Sequence, residues 1–160
     1  MKIRLTRTAL LCAVIASGTG LAAQAPAAPA ANPRFAVWKL KSEAPPPSSN
    51  FMTYEAYNGT GMKVTINAVN ASGATSSWGY TTMFDGKDYP VTGRNGTDTA
   101  VVQVINEKIN TITYKKGGKV VQFLINVLSA DNNTIEVSYL STNASGETRT
   151  THATYERVVK

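Results

Sequence analysis

Beyond residue 50 the chain alternates. Met62, Val64, Ile66 and Ala68 share one parity against Lys63, Thr65 and Asn67, and Trp78, Tyr80, Thr82 and Phe84 share another against Gly79, Thr81 and Met83. Successive side chains of a strand point to opposite faces, so each run predicts a strand with one buried face and one wet face. The period continues through Val102 and Val104 around Gln103, Ile112 and Tyr114 between Thr111 and Thr113, and Ile135, Val137 and Tyr139 around Glu136 and Ser138. No window of a dozen residues holds a helical period, and Leu occurs after residue 50 only at positions 124, 128 and 140. Abundant Val, Ile, Thr and Tyr suit a pleated, half-buried surface.

Turn residues punctuate these runs: Asn58-Gly59, Asn70-Ala71-Ser72-Gly73, Asp85-Gly86, Asn95-Gly96, Gly117-Gly118, Asp131-Asn132-Asn133 and Asn143-Ala144-Ser145-Gly146. Asn-Gly and Asp-Gly supply the positive φ of tight hairpins. The expectation is an all-β, antiparallel up-and-down meander of eight or nine strands, closed or nearly closed into a barrel because closure removes exposed sheet edges. The repeated Asn-Ala-Ser-Gly tetrapeptide reads as two hairpins using one turn chemistry.

One run breaks the rule. Lys119–Ser129 is apolar on both faces, with Val121, Phe123, Ile125 and Val127 on one and Val120, Leu124 and Leu128 on the other. Something must cover its outside, and the first candidate is the apolar island Phe35-Ala36-Val37-Trp38-Lys39-Leu40-Lys41, followed by a second copy of the chain or a membrane surface.

The N-terminal pattern is different. Met1–Arg7 carries Lys2, Arg4 and Arg7, a short apolar run follows, and small residues lead to Ala25, which is the order of a secretory signal peptide. Residues 1–25 are read as that leader, 26–34 as an Ala/Pro-rich linker, and 35–160 as one β-barrel domain with a Pro/Ser-rich loop at 45–50. The apolar run is too short to span a bilayer. Export is expected, to the periplasm or the medium.

The leader changes the charge arithmetic. The chain carries 16 Lys and Arg against 10 Asp and Glu, a net +6, and three of those basic residues leave with the leader. Acidic and basic side chains nearly balance after residue 50, and Lys115, Lys116 and Lys119 cluster only at one turn, so nucleic acid is not an expected partner. The one cysteine, Cys12, lies in the leader, which excludes disulfides, thiolate metal sites and a cysteine nucleophile from the remainder.

Candidate chemistry is sparse. His152 is the only histidine and falls with Thr150 and Thr154 on the polar face of the last strand, opposite Ala153 and Tyr155. A zinc site by histidine or cysteine is excluded by count. Asp85 and Asp88 flank Gly86 in an ordinary turn and lack the further oxygen ligands of a calcium loop. Asn-X-Ser/Thr triplets begin at Asn58, Asn70, Asn95, Asn132 and Asn143, mostly at hairpin tips, where turn geometry accounts for them. No cofactor and no metal are expected, and the chain does not read as an enzyme.

What remains is a set of aromatics assigned to the apolar side: Tyr54, Trp78, Tyr80, Phe123, Tyr139 and Tyr155. In a small barrel such side chains either fill the interior or line a cavity for one ligand. Buried Tyr and Trp need partners for their polar tips, so several inside one barrel carry more information than the same number of Phe.

Trp38-Lys39-Leu40-Lys41-Ser42-Glu43, the stretch from Phe84 to Gly93 and the terminal Ala153–Val158 resemble small, uncharacterised exported bacterial proteins of lipocalin-like, calycin-type barrel fold. In such barrels a Gly-X-Trp signature places a Trp at the floor beneath an Arg from the last strand. The resemblance implies these roles for Trp38 and Arg157, a stacking pair, although Ala36 stands where the signature has Gly. It also implies a small hydrophobic or amphipathic ligand. Two functions are carried forward: an exported, non-enzymatic barrel binding such a ligand, or a filled structural barrel that uses strand 119–129 as an interface, with a homodimer as one form.

Overall fold

The computed structural model describes residues 32–143 and 145–158, which form ten strands and no helix. The strands are β1 (Ala36–Leu40), β2 (Ser49–Tyr57), β3 (Gly61–Val69), β4 (Thr75–Thr82), β5 (Asp88–Thr92), β6 (Thr99–Asn106), β7 (Ile109–Lys116), β8 (Lys119–Leu128), β9 (Thr134–Thr142) and β10 (Thr148–Arg157). Each pairs antiparallel with its sequence neighbour, and β1 pairs with β10 through Trp38 opposite Arg157, Lys39 opposite Glu156 and Leu40 opposite Tyr155. The meander is therefore a closed barrel, with no free edge.

The strand number exceeds the expected eight or nine for two reasons. The island at 35–41 is itself a wall strand, β1, hydrogen-bonded on both sides. It therefore does not lie over the outside of β8. The stretch around Asp88 contributes β5, short because Pro90 lacks a ladder donor. β5 shares two register pairs with β4 and three with β6, against eight between β3 and β4.

Alternation sorts the side chains as a half-buried strand requires. Met52 and Tyr54 of β2, Met62, Val64 and Ile66 of β3, Ile112 and Tyr114 of β7, and Ile135 and Val137 of β9 face inward and are buried. A bulge between Val104 and Asn106 takes the end of β6 out of register, and Val104 and Ile105 both lie exposed. The two Asn-Ala-Ser-Gly turns use the same bonds: Asn70 Oδ1 accepts from the Ser72 and Ala74 amides, and Asn143 Oδ1 accepts from those of Ser145 and Glu147. The repetition is thus one turn chemistry used twice.

One end of the barrel is a floor. Trp38 is fully buried there, its indole N–H donates to the Arg34 carbonyl at 2.9 Å, and the Arg157 guanidinium lies 4.4 Å from the ring centroid. Arg157 is held in turn by donating from Nε to the Asn132 carbonyl at 2.7 Å and from Nη2 to the Pro33 carbonyl. Pro33 and Arg34, read from sequence as the end of a linker, instead belong to this floor, and Arg34 is 2% exposed. The leader at 1–25 and linker residues 26–31 lie outside the described residues.

Candidate functional site

Above the floor the barrel keeps a cavity of about 210 Å³. Tyr54, Trp78, Tyr80, Tyr139 and Tyr155 line it, joined by Tyr114. The aliphatic part of the wall comes from Met52, Val64, Ile66, Ile112, Leu124 and Val137. Polar groups are set among them: Asn50, Arg94, Gln122 and Asn126.

Phe123 is not in this lining. The inward positions of β8 are Gln122, Leu124, Asn126 and Leu128, and Phe123 falls between them on the outer face, opposite Thr113 on one side and Leu140 on the other. Sequence pattern alone favours the wrong face because Gln122 and Asn126 make the inward parity look wet. Tertiary partners satisfy both amides: Arg94 donates to Gln122 Oε1 at 3.0 Å, Gln122 Nε2 donates to Ser141 Oγ at 2.9 Å, and Asn126 Nδ2 donates to the Tyr54 hydroxyl at 3.2 Å. Buried polar groups so paired are tolerated in an interior that excludes unpaired ones.

At the floor end Arg34 reaches into the same network. Its Nη1 donates to Asn126 Oδ1 and its Nη2 to the Lys108 carbonyl at 2.6 Å. Burial holds this guanidinium below its ordinary pKa, and the Tyr54 phenol opposes that shift. No carboxylate pairs with it among the described residues.

At the opposite end Arg94 arrives from the loop between β5 and β6. Its guanidinium lies 4.5 Å from the Trp78 ring centroid and 4.6 Å from that of Tyr114. Cation–π attraction to two rings orients it. Gly93 makes the placement geometrically accessible: at φ +78° its ideal Cβ would sit 2.4 Å from the Ser77 carbonyl oxygen, so only glycine lets the loop approach β4 this closely. Trp78 and Tyr80 both meet Tyr114 edge to face, at 5.9 and 6.0 Å.

Burial governs the phenols. Desolvation pushes Tyr54, Tyr80, Tyr139 and Tyr155 above the usual tyrosine range and Tyr114 to about 12, so all five remain neutral hydroxyls at ordinary pH. Tyr139 and Tyr155 approach each other at 3.5 Å through their hydroxyls. Asn50 Oδ1 is buried and has no hydrogen-bond partner among the described residues.

The remaining sequence candidates lie elsewhere. His152 is exposed on the outer face, with Nδ1 3.1 Å from Ser138 Oγ on the paired strand. Asp85 accepts from the Lys87 amide and the Tyr89 hydroxyl, and Asp88 from Thr99 and Lys115, so both carboxylates are engaged in local surface pairs. No group of three or more His, Cys, Asp or Glu side chains converges among the described residues, and no helix there is long and apolar enough to cross a membrane.

The fold has solved counterparts. A crystal structure of a point mutant of the fluorescent protein UnaG superposes with a TM-score of 0.54 at 15% identity, covering 80% of this chain and 98% of that one. Wild-type UnaG gives 0.52 at 14%, covering 77% and 96%. The shared architecture is an antiparallel β-barrel. No family model matches the sequence, and no curated protein does. At this identity the likeness to UnaG carries the architecture alone.

Of the polar and aromatic site side chains, sequence reasoning missed Arg34, Asn50, Arg94, Tyr114, Gln122 and Asn126. Tyr114 shares a strand parity with Ile112 and was recoverable from the alternation. Gln122 and Asn126, four apart on an otherwise apolar strand, were a usable signal for a polar lumen. Nothing local distinguishes Arg94 or Arg34 from any other surface arginine.

Proposed function

We propose that this protein is a non-enzymatic carrier that holds one small amphipathic molecule inside its barrel. One observation carries the reading: the lumen contains open space ringed by phenol hydroxyls, amides and a guanidinium, where a filled core would contain interlocked aliphatic side chains. Tyr54, Trp78, Tyr80, Tyr139 and Tyr155 supply apolar ring faces and polar tips together. Trp38 and Arg157 keep the floor shut beneath them.

The leader pattern at 1–25 supports a site of action outside the cytoplasm. Mass spectrometry of the protein recovered from its host would show a mature N-terminus between about residues 22 and 26, and an intact Met1 would refute export. Binding is tested by titrating folded, delipidated protein with a polarity-sensitive fluorescent probe. Saturable one-to-one enhancement is expected, and its absence over the accessible concentration range removes the reading.

A second reading has its own observation. On the outer face Val120, Ile125 and Leu140 are 57%, 41% and 41% exposed, and Phe123 sits between the β7 and β9 strands beside them. An apolar outer strand of this kind favours pairing with a second copy. Sedimentation of the mature protein decides: a concentration-dependent dimer supports the interface, and a strict monomer leaves the carrier alone.

A further inference from the structure

We propose that the molecule held in the barrel is a small aromatic acid, one or two fused rings in size, whose carboxylate is clasped by Arg94. This rests on the carrier reading and narrows it to a ligand class. Three independent features of the lumen converge on that class.

The first is size. A cavity of roughly 150 Å³ accommodates one benzene-sized molecule, and the lumen here measures about 210 Å³. One or two rings fit. A long acyl chain or a chain of several linked rings would have to project out of it.

The second is charge. Arg94 is the one charged side chain in the lining, and no carboxylate accompanies it. Its bond to Gln122 Oε1 uses one of the five N–H donors of a guanidinium, and no other acceptor for it occurs among the described residues. The Trp78 and Tyr114 rings fix the plane of the fork in advance. A preset, half-desolvated guanidinium with free donors is complementary to a planar carboxylate, which it grips with two parallel bonds.

The third is the balance of donors and acceptors. The neutral phenols carry O–H groups that can donate, the Tyr54 oxygen already accepting from Asn126 Nδ2, and Arg94 has N–H groups to spare, so the lumen offers donors to an anion such as a carboxylate. Asn50 Oδ1 is a buried acceptor without a donor among the described residues, at the start of β2, on the same end of the barrel as the β5–β6 loop. It calls for an N–H or O–H on the ligand, which leaves a hydroxy- or amino-substituted aromatic acid as the best match.

The test compares matched ligands on the full-length mature protein by calorimetry: 6-hydroxy-2-naphthoate, its uncharged analogue 6-hydroxy-2-naphthamide, and the aliphatic alcohol 1-undecanol. The expected result is that the acid binds at least tenfold more tightly than the amide and that Arg94→Gln brings the two affinities within threefold of each other. Arg94→Lys, which keeps the charge and loses the fork, should retain part of the preference. Equal affinities of acid and amide for the wild type overturn the inference and leave the carrier standing, and that comparison needs no variant to fold. Binding of the undecanol with neither naphthyl compound overturns the size and charge assignment alone. Saturation by none of the three overturns both.

Discussion

At the scale of single residues the molecule is organised by polar side chains in an apolar tube. Arg34 is the sharpest case: a buried cation without a counter-ion among the described residues, held by the Lys108 carbonyl and the Asn126 side-chain oxygen, which would otherwise be orphaned. Truncating Arg34→Ala leaves the Lys108 carbonyl and Asn126 Oδ1 without their donor. At about 1–3 kcal/mol for each of the two buried groups left unsatisfied, the expected loss is roughly 2–6 kcal/mol, read as a lowered urea midpoint. Arg34→Lys should recover only part of it, because a point charge does not reproduce the fork. The interior phenols set a second expectation. A group whose folded-state pKa is raised contributes stability below its unfolded value, near 10 for tyrosine, and that contribution is lost as pH climbs through the folded value, about 12 for Tyr114. Absorbance at 295 nm and far-ultraviolet circular dichroism should therefore change together above pH 10. Ionisation of all the tyrosines well before the fold is lost would contradict this.

At the scale of elements the barrel wall is uneven. β5 is joined by two register pairs on one side and three on the other, while β9 and β10 share nine. Local opening follows the number of ladder bonds that must break, so β5 amides should exchange hydrogen fastest among the strands and those of β3, joined by nine register pairs to β2 and eight to β4, slowest. The loop after β5 depends on Gly93. Gly93→Val forces a branched side chain into a left-handed conformation and against the Ser77 carbonyl. The loop must then leave β4 and take Arg94 off Trp78, so ligand affinity should fall more steeply than thermal stability. A variant that melts early yet binds with unchanged affinity would show that Arg94 is positioned by something else.

At the scale of the whole molecule, closure and the outer surface follow different rules. The β1–β10 pairing seals the cylinder, and the stacked Arg157 and Trp38 sit at that seam. The outer face of β8 has no cover among the described residues, since the segment first expected to lie over it is a wall strand. Replacing Ile125 and Leu140 together by Lys should abolish any concentration-dependent sedimentation while leaving ligand binding intact, since both side chains point away from the lumen. Retained association would place the contact on another face.

The strands, their turns and the closed all-β plan were legible because a two-residue hydrophobic period and Asn-Gly or Asp-Gly punctuation are local properties of the chain. Tyr54, Trp78, Tyr80, Tyr139 and Tyr155 were legible for the same reason, each sharing a parity with at least one apolar or aromatic neighbour. The inward face of β8 was not: where both parities are apolar, the choice belongs to partners far away in sequence, and Gln122 and Asn126 turn inward because Arg94, Ser141 and Tyr54 wait there. The arginines were legible least of all. Local pattern records how often a side chain meets water on average, whereas the burial of Arg34 and the stacking of Arg94 arise only when segments dozens of residues apart close around them.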